Sequence, residues 1–291
     1  MTGSNFLANL SSMVVETAAN VSSSIVEIAS HRSLASGFVW REGLIITADE
    51  SLADEGRILV EFADGTERAA SVVGRDPSTD VALLRVEGAD APSATLSDEP
   101  LRPGTLVVVA AAAESAPLVL FGSAIAVGPD WRSMRGGKID ARIELDVRLR
   151  DRAEGGLAVT GEGKAIGMVV RGPRGGTLVI PSATIETAAS LLLEHGEVPR
   201  GYLGLGLHQV TATGGGQGAM VMSVDPDGPG AVGGLLQGDI ILRWNGETVP
   251  SVNALVGTLD HQSIGRLVSL GIRRAGADVE TTVTIGTRPR G

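Results

Sequence analysis

The hydrophobic positions of the chain follow two different spacings. Within residues 5–20, apolar side chains recur at helical spacing with polar residues between them: Phe6, Leu7, Leu10, Met13, Val14 and Val15. This spacing predicts an amphipathic helix or a docking segment. From Val21 onward the apolar runs are short, rich in β-branched residues and bounded by Gly, Asp and Pro. Such runs are typical of β-strands.

Two successive groups of strand-like runs precede one predicted helix. Asp64-Gly65 lies between two runs of the first group and predicts a hairpin turn. Two groups of about six short strands favour two small barrels or a sandwich. Residues 183–195 then show helical spacing, with Ser182 as the predicted N-cap and Gly196 as the predicted C-terminal stop.

A third predicted unit follows a linker at 196–200. It contains further strand-like runs and two helical patterns, near 229–236 and 251–260. The final GTRPRG is predicted to be disordered, since chain termini are often poorly ordered.

Composition excludes several functional classes. The chain has 291 residues, of which 43% are hydrophobic, and its 40 glycines favour a β-rich globular protein with many tight turns. The net charge of −10 and the sequence pI of about 4.9 argue against nucleic-acid binding. Because the chain has no cysteine, disulfides, thiolate zinc sites and cysteine nucleophiles are excluded.

The N-terminal sequence predicts neither a signal peptide nor a membrane span. It lacks a basic region followed by a continuous apolar region. No run of about 18 apolar residues occurs anywhere in the chain. As written, the sequence would suit the cytoplasm, but these patterns leave the compartment open.

Several stretches resemble HtrA/Deg serine proteases that carry a C-terminal PDZ domain. The clearest is DGTERAASVVGRDPSTDVALLRV at 64–86, and DGPGAVGGLLQGDIILRWNGETV at 227–249 is similar to the middle of a PDZ domain. Other matching stretches are 36–52, 163–171, 180–182 and 192–207. The resemblance covers about residues 20–288.

The resemblance implies a mainly β fold, with two chymotrypsin-like six-stranded β-barrels followed by an α+β PDZ domain. It predicts these boundaries: an N-terminal helical or docking segment at 1–20, a trypsin-like domain at 21–197 and a PDZ domain at 200–288. Within the trypsin-like domain it predicts barrels at about 21–97 and 98–182, then the helix at 183–195.

The resemblance also implies a catalytic triad, from which this sequence departs. In the family, a histidine takes a proton from a serine, an aspartate orients the histidine, and backbone N–H groups stabilise the oxyanion. Glu50 stands at the histidine position and Glu154 at the serine position, whereas the aspartate is retained as Asp80. Arg152 replaces a glycine of the oxyanion loop. We therefore expect no conventional serine-protease activity.

Three carboxylates at one cleft repel each other unless they are compensated. The favoured interpretation is an inert cleft neutralised by an arginine of the neighbouring loop: Arg148, Arg150 or Arg152. A second is a Ca²⁺ or Mg²⁺ site at Glu50, Asp80 and Glu154, because hard cations prefer oxygen ligands. A third is acid–base hydrolysis by a carboxylate pair.

The PDZ resemblance implies a peptide site at an exposed sheet edge, where such domains add a peptide strand. The matching carboxylate-binding loop is Tyr202, Leu203, Gly204 and Leu205. Leu255 and Leu259 lie four apart on the second predicted helix, and they are interpreted either as the other wall of the groove or as core. An apolar peptide C-terminus is expected.

These features give three functional hypotheses. The main one is an inactive HtrA-like pseudoprotease that binds peptides or proteins through its PDZ domain as a scaffold or regulator. The alternatives are an active serine endopeptidase in protein quality control with a non-standard site, and a cation-binding structural protein. We predict no cofactor. The family usually is periplasmic or exported and forms trimers through its N-terminal region, so a homotrimer or a hetero-oligomer with active members is expected, with Phe6 as the candidate contact.

Overall fold

The computed structural model describes residues 3–31, 33–113, 117–211 and 217–289. It divides into two compact units, Met1–Glu197 and Val198–Gly291. Among the described residues, no helix combines the length and the apolar character needed to cross a membrane.

The first unit opens with helix α1 (Gly3–Ser22), where helical spacing predicts a helix. Its buried face includes Thr17 and Ala18, near the C-terminal end. Phe6 and Leu7 near the other end are exposed. The predicted segment begins at Met1, and Met1 and Thr2 lie outside the described residues.

The first barrel closes in the antiparallel order β1-β2-β3-β6-β5-β4. Its strands are β1 (Ile25–Ser30), β2 (Ser33–Arg41), β3 (Leu44–Ala48), β4 (Ile58–Phe62), β5 (Glu67–Asp76) and β6 (Val81–Arg85). The turn between β4 and β5 falls at Asp64-Gly65, as predicted, and Gly65 supplies the positive φ of +80°. Every residue of β3 is buried, and the short 3₁₀ turn Asp49–Ser51 follows it directly.

The second barrel closes in the order β11-β14-β13-β12-β7-β8, and β9 and β10 form a separate two-stranded sheet. The strands are β7 (Leu106–Ala111), β8 (Leu118–Gly128), β9 (Trp131–Arg132), β10 (Lys138–Ile139), β11 (Arg142–Leu145), β12 (Leu157–Thr160), β13 (Ala165–Arg171) and β14 (Thr177–Pro181). Short 3₁₀ turns lie at Asp151–Ala153 and Pro173–Gly175. The prediction of two six-stranded barrels is confirmed.

Helix α2 (Ser182–His195) follows the second barrel. Its predicted stop is confirmed, because Gly196 adopts the left-handed conformation at φ +76° and donates its N–H to the Leu192 carbonyl. The predicted N-cap is wrong. Ser182 is already inside the helix, and its hydroxyl donates to the Ser97 carbonyl at 2.7 Å.

The second unit is built on a sheet in the order β16-β17-β18-β20-β21, with β19 beside β18 and β15 paired with β22. Its strands are β15 (Gly201–Tyr202), β16 (Leu205–Thr211), β17 (Gln217–Val224), β18 (Ile240–Trp244), β19 (Glu247–Thr248), β20 (Leu267–Arg274), β21 (Ala277–Thr284) and β22 (Gly286–Thr287). Its helices are α3 (Pro229–Val232) and α4 (Val252–Gly257), both shorter than predicted.

The end of the chain differs from its predicted disorder. Gly286–Thr287, the first two residues of GTRPRG, form β22 against β15. This pairing gives their backbone groups partners in a separate two-stranded sheet. The last two residues of the segment, 290–291, lie outside the described residues.

Candidate functional site

Asp80 ends a tight turn between β5 and β6. Asp76 organises the turn by accepting hydrogen bonds from the Ser78 N–H at 3.1 Å and from the Thr79 hydroxyl at 2.6 Å. Asp80 itself adopts φ +60°. Aspartate tolerates this left-handed region better than most residues. The turn therefore presents the Asp80 carboxylate at the end of a buried strand.

Glu50 lies beside Asp80. The Glu50 backbone N–H donates to Asp80 Oδ1 at 2.8 Å, from the 3₁₀ turn after β3. The Glu50 side chain points away from the core, being 54% exposed, and pairs with Arg135 at 3.2 Å. The neighbouring Asp49 is buried and binds Arg75, so the two acids of this turn have different arginine partners.

Burial raises the pKa of Asp80 from 3.8 to about 7. The charges of Glu50, Glu154 and Asp49 contribute to this rise, and the Glu50 N–H opposes it by stabilising the ionised form. The charges of Glu50 and Glu154 thus both act on Asp80, which indicates that the three predicted positions converge on one cleft.

Glu154 is 9% exposed and its carboxylate is held by one residue of β13. Glu154 Oε1 accepts the Arg171 backbone N–H at 3.1 Å, and Glu154 Oε2 lies 3.5 Å from the Arg171 guanidinium. Strand β12 pairs with β13 from the Leu157–Met168 pair onward, so Arg171 has no partner residue on β12. The Glu154 side chain therefore occupies the hydrogen-bonding position beyond the end of that ladder.

The loop that carries Glu154 is fixed by Ser36 on β2. The Ser36 N–H donates to the Glu154 carbonyl at 2.8 Å, and the Ser36 hydroxyl donates to the Arg152 carbonyl at 2.6 Å. Gly155 adopts φ +86°, and a Cβ there would lie 2.0 Å from the backbone carbonyl oxygen of Ser36. Only glycine fits this close approach.

The second candidate site is the loop between β15 and β16 in the other unit. Gly204 adopts φ +72°, and the Tyr202 hydroxyl donates to Asp225 Oδ2 at 2.9 Å. Within the described residues, the N–H groups of Leu203 and Gly204 donate to no protein acceptor, whereas their carbonyls accept from Gly230 and Asp225. Two backbone donors of this loop therefore lack a protein acceptor among the described residues.

Strand β16 follows this loop and forms one edge of its sheet in the part of the chain described, because it pairs only with β17. Helix α4 lies against it. The Val252 N–H at the start of α4 donates to Gln209 Oε1 on β16 at 2.7 Å. An open strand edge beside a helix is the arrangement that accepts an added peptide strand.

Comparison with known proteins matches both units. Residues 35–168 match the family described as trypsin-like peptidase domain, and residues 201–285 match the PDZ domain. A probable periplasmic serine endoprotease, DegP-like, from Halomonas elongata is 34% identical over 275 residues, which is 89% of this chain and 57% of that relative. The chain has the architecture of an HtrA-type protease. It spans about half the length of the curated relatives it matches.

Other similar proteins agree. A DegP-like protein from Brucella suis is 31% identical over 273 residues, covering 87% of this chain and 52% of that relative. The solved structure described as HtrA-type protease AlgW with tripeptide is 26% identical, with a TM-score of 0.73 over 96% of this chain and 98% of that one. A serine endoprotease from Yersinia pestis, 23% identical with a TM-score of 0.75, covers 95% and 98% and supports the fold alone.

The arginines that compensate the cleft carboxylates differ from those predicted. Arg135 pairs with Glu50 and Arg171 pairs with Glu154. Arg152, one of the three predicted arginines, instead reaches Glu27 at 3.2 Å. Barrel packing brings Arg135 and Arg171 to the cleft from outside the predicted loop, and nothing in the local sequence indicates this. In the described residues, no group of three acidic or histidine side chains is arranged to hold a metal, so the geometry does not favour the cation interpretation.

The groove beside β16 also differs in its wall residues. Leu255 is 2% exposed and belongs to the hydrophobic core of this unit, which fits the core interpretation of that residue. Leu259 and Leu205 are partly buried against the same core. Val256 on α4 is 52% exposed.

Proposed function

We propose that this HtrA-type chain is a catalytically inactive pseudoprotease that binds peptides or proteins through its PDZ domain. The observation that carries the proposal is the environment of Glu154, the residue at the predicted nucleophile position. Its carboxylate is almost buried and is held by both the backbone and the side chain of Arg171. A carboxylate fixed in this way offers neither the hydroxyl nor the free approach that acyl transfer to serine needs.

The rest of the cleft supports the same proposal. Glu50 has no ring nitrogen to shuttle a proton between nucleophile and leaving group. Ser51, the neighbouring hydroxyl, is buried, and its Oγ has no hydrogen-bond partner among the described residues. A serine nucleophile needs an adjacent base to activate it. Besides burial and the Glu50 N–H, the charges that act on Asp80 come from other carboxylates, which is unlike the environment of a catalytic aspartate beside a histidine.

The PDZ domain supplies the binding activity in this proposal. The available N–H groups of Leu203 and Gly204 suit a peptide carboxylate, and the edge of β16 suits the peptide backbone. Leu205, Val256 and Leu259 offer apolar surface for the last side chain. The AlgW structure carries a tripeptide, as its description states. We therefore expect peptides with an apolar C-terminal residue and a free carboxylate.

The test combines binding and labelling on the same preparation. A fluorescent peptide ending in a free apolar residue is titrated against the protein beside its C-terminal amide. The proposal expects at least about tenfold tighter binding of the free acid, since the carboxylate makes charge-assisted hydrogen bonds. It also expects no labelling by a fluorophosphonate. Labelling at any serine, or equal binding of acid and amide, contradicts one half of the proposal each.

A second candidate is a serine endopeptidase with a non-standard site, favoured by the names of the relatives, which are called serine endoproteases. Fluorophosphonate labelling followed by mapping of the labelled serine would support this candidate. Assembly into a homotrimer, or with active members of the family, stays a prediction. Phe6, its proposed contact, is 69% exposed.

A further inference from the structure

A cavity of about 410 Å³ lies in the first unit, between the end of α1, β1, the turn joining β4 to β5, and the end of β7. Its apolar walls include Ile25, Phe62, Pro117 and the alanines 110–113. Three of its described lining residues are acidic and none is basic: Glu27, Glu61 and Asp64. The volume falls in the range of small-ligand sites.

The strand register places two of these acids directly opposite each other. Glu27 on β1 pairs across the ladder with Glu61 on β4. Directly opposed residues of antiparallel strands bring their side chains within contact distance, and two like charges there are destabilising. The register therefore places two carboxylates side by side at the wall of an apolar cavity.

Only one member of the pair is compensated within the described residues. Arg152 reaches Glu27 at 3.2 Å, and Glu27 is nearly buried, with 11% of its side chain exposed. Glu61 is half-buried. Its carboxylate has neither a hydrogen bond nor an ion pair with any of the described residues. A partly desolvated, unpaired carboxylate next to a second one attracts a cation.

We propose that this cavity binds an organic cation, namely an ammonium or guanidinium group on an apolar stem. The head group lies against Glu61 and relieves its repulsion with Glu27, while the stem packs on Ile25 and Phe62. Lysine and arginine side chains have this amphipathic form. The occupant is therefore either a basic side chain of a bound polypeptide or a free organic cation of the same chemistry.

The test titrates the full chain by calorimetry with hexylguanidinium and with the neutral hexanol. Two peptides with both ends capped follow, acetyl-Ala-Leu-Arg-Leu-Ala-amide and its citrulline analogue. The capped ends have no free carboxylate, so binding at the PDZ loop does not contribute and the result is independent of the proposed function. We expect saturable binding of hexylguanidinium, at least about tenfold tighter than hexanol. Binding of the arginine peptide assigns the site to a polypeptide, and its absence assigns the site to free cations.

Two variants locate the site. Glu61→Gln removes the unpaired charge and relieves the repulsion with Glu27, so it is expected to fold and to weaken hexylguanidinium binding about tenfold. Glu87→Gln is the matched control, because Glu87 is an exposed acid of the same unit that does not line the cavity. Equal weakening by both variants, equal binding of the cation and hexanol, or no saturation up to about 10 mM overturns the proposal.

Discussion

The two candidate sites depend on different parts of the polypeptide. The barrel cleft requires particular side chains at Glu50 and Glu154, and those side chains are carboxylates. The PDZ groove requires a backbone conformation, supplied by Gly204 at φ +72° and by the open edge of β16. Backbone-dependent binding survives most side-chain substitutions, whereas triad chemistry does not survive the loss of its base and nucleophile.

The difference shows how far a shared fold supports a shared function. Both candidate sites contain a glycine with a positive φ, Gly155 at the cleft and Gly204 at the groove. Fold alone therefore supports peptide binding more strongly than it supports hydrolysis, because function depends on the groups at the site. Four predictions test this contrast, starting with the largest expected effect.

The close approach of Gly155 to the Ser36 carbonyl predicts the largest loss of stability. Gly155→Ala forces a side chain to within 2.0 Å of the Ser36 oxygen and strains a positive φ. We expect a loss of about 3 kcal/mol or more in the free energy of unfolding, measured by urea denaturation. Gly163→Ala is the control, since its φ of +81° is similar but no atom lies within 4 Å of the new Cβ. Equal losses in both variants would show that the cleft backbone is not specifically constrained.

The raised pKa of Asp80 predicts that the stability of the protein depends on pH. The folded-state pKa of about 7 lies above the ordinary 3.8, so the folded chain binds the extra proton between these values. Its contribution to stability is complete below about pH 4 and is lost as pH rises through about 7. Asp80→Asn cannot ionise. Relative to the natural protein, its free energy of unfolding should therefore increase by about 2 kcal/mol between about pH 5 and pH 8. Parallel stability curves across this range would contradict the raised pKa.

Gly204 tests the groove in the same way that Gly155 tests the cleft. A Cβ on Gly204 would lie 3.0 Å from the Gly228 Cα and 3.1 Å from the Asp225 Cβ. Gly204→Ala should weaken binding of a peptide with a free apolar C-terminus about tenfold, or about 1.4 kcal/mol, by shifting the two backbone donors. Gly246→Ala, with φ +85° and open space around its new Cβ, should leave the affinity unchanged. Retained affinity in Gly204→Ala would separate binding from this loop.

The two arginines of the cleft give the smallest effects and distinguish a buried pair from an exposed one. Arg171→Gln leaves the nearly buried Glu154 carboxylate without its guanidinium, and we expect a loss of about 1 kcal/mol in the free energy of unfolding. Arg135→Gln breaks a pair in which both side chains are about half exposed, and we expect less than about 0.5 kcal/mol. A larger loss in Arg135→Gln would show that the exposed pair holds the cleft together.

Local sequence signals predicted the elements well where one residue type determines the backbone. The hairpin at Asp64-Gly65 and the helix stop at Gly196 both use a glycine with positive φ. The N-cap at Ser182 was wrong because its hydroxyl makes a long-range bond to Ser97, which the local sequence does not reveal.

The sequence proposes the positions of the cleft residues, but it does not predict their contacts. The resemblance located Glu50, Asp80 and Glu154, and the pKa of Asp80 reflects the charges of the other two. Their arginine partners, Arg135 and Arg171, depend on how distant segments pack, so spacing along the chain does not predict them. The cavity beside Glu61 depends in the same way on the register between β1 and β4.

The most direct test of the central claim is incubation of the purified protein with unfolded β-casein, beside the Glu50→His, Glu154→Ser double variant. The account predicts no cleavage by the natural protein, because neither a base nor a nucleophile stands at the triad positions. Cleavage by the double variant alone would add that the cleft keeps a productive geometry. A casein-cleaving activity that co-purifies with the natural protein and is lost in Asp80→Asn would contradict the account and assign hydrolysis to this cleft.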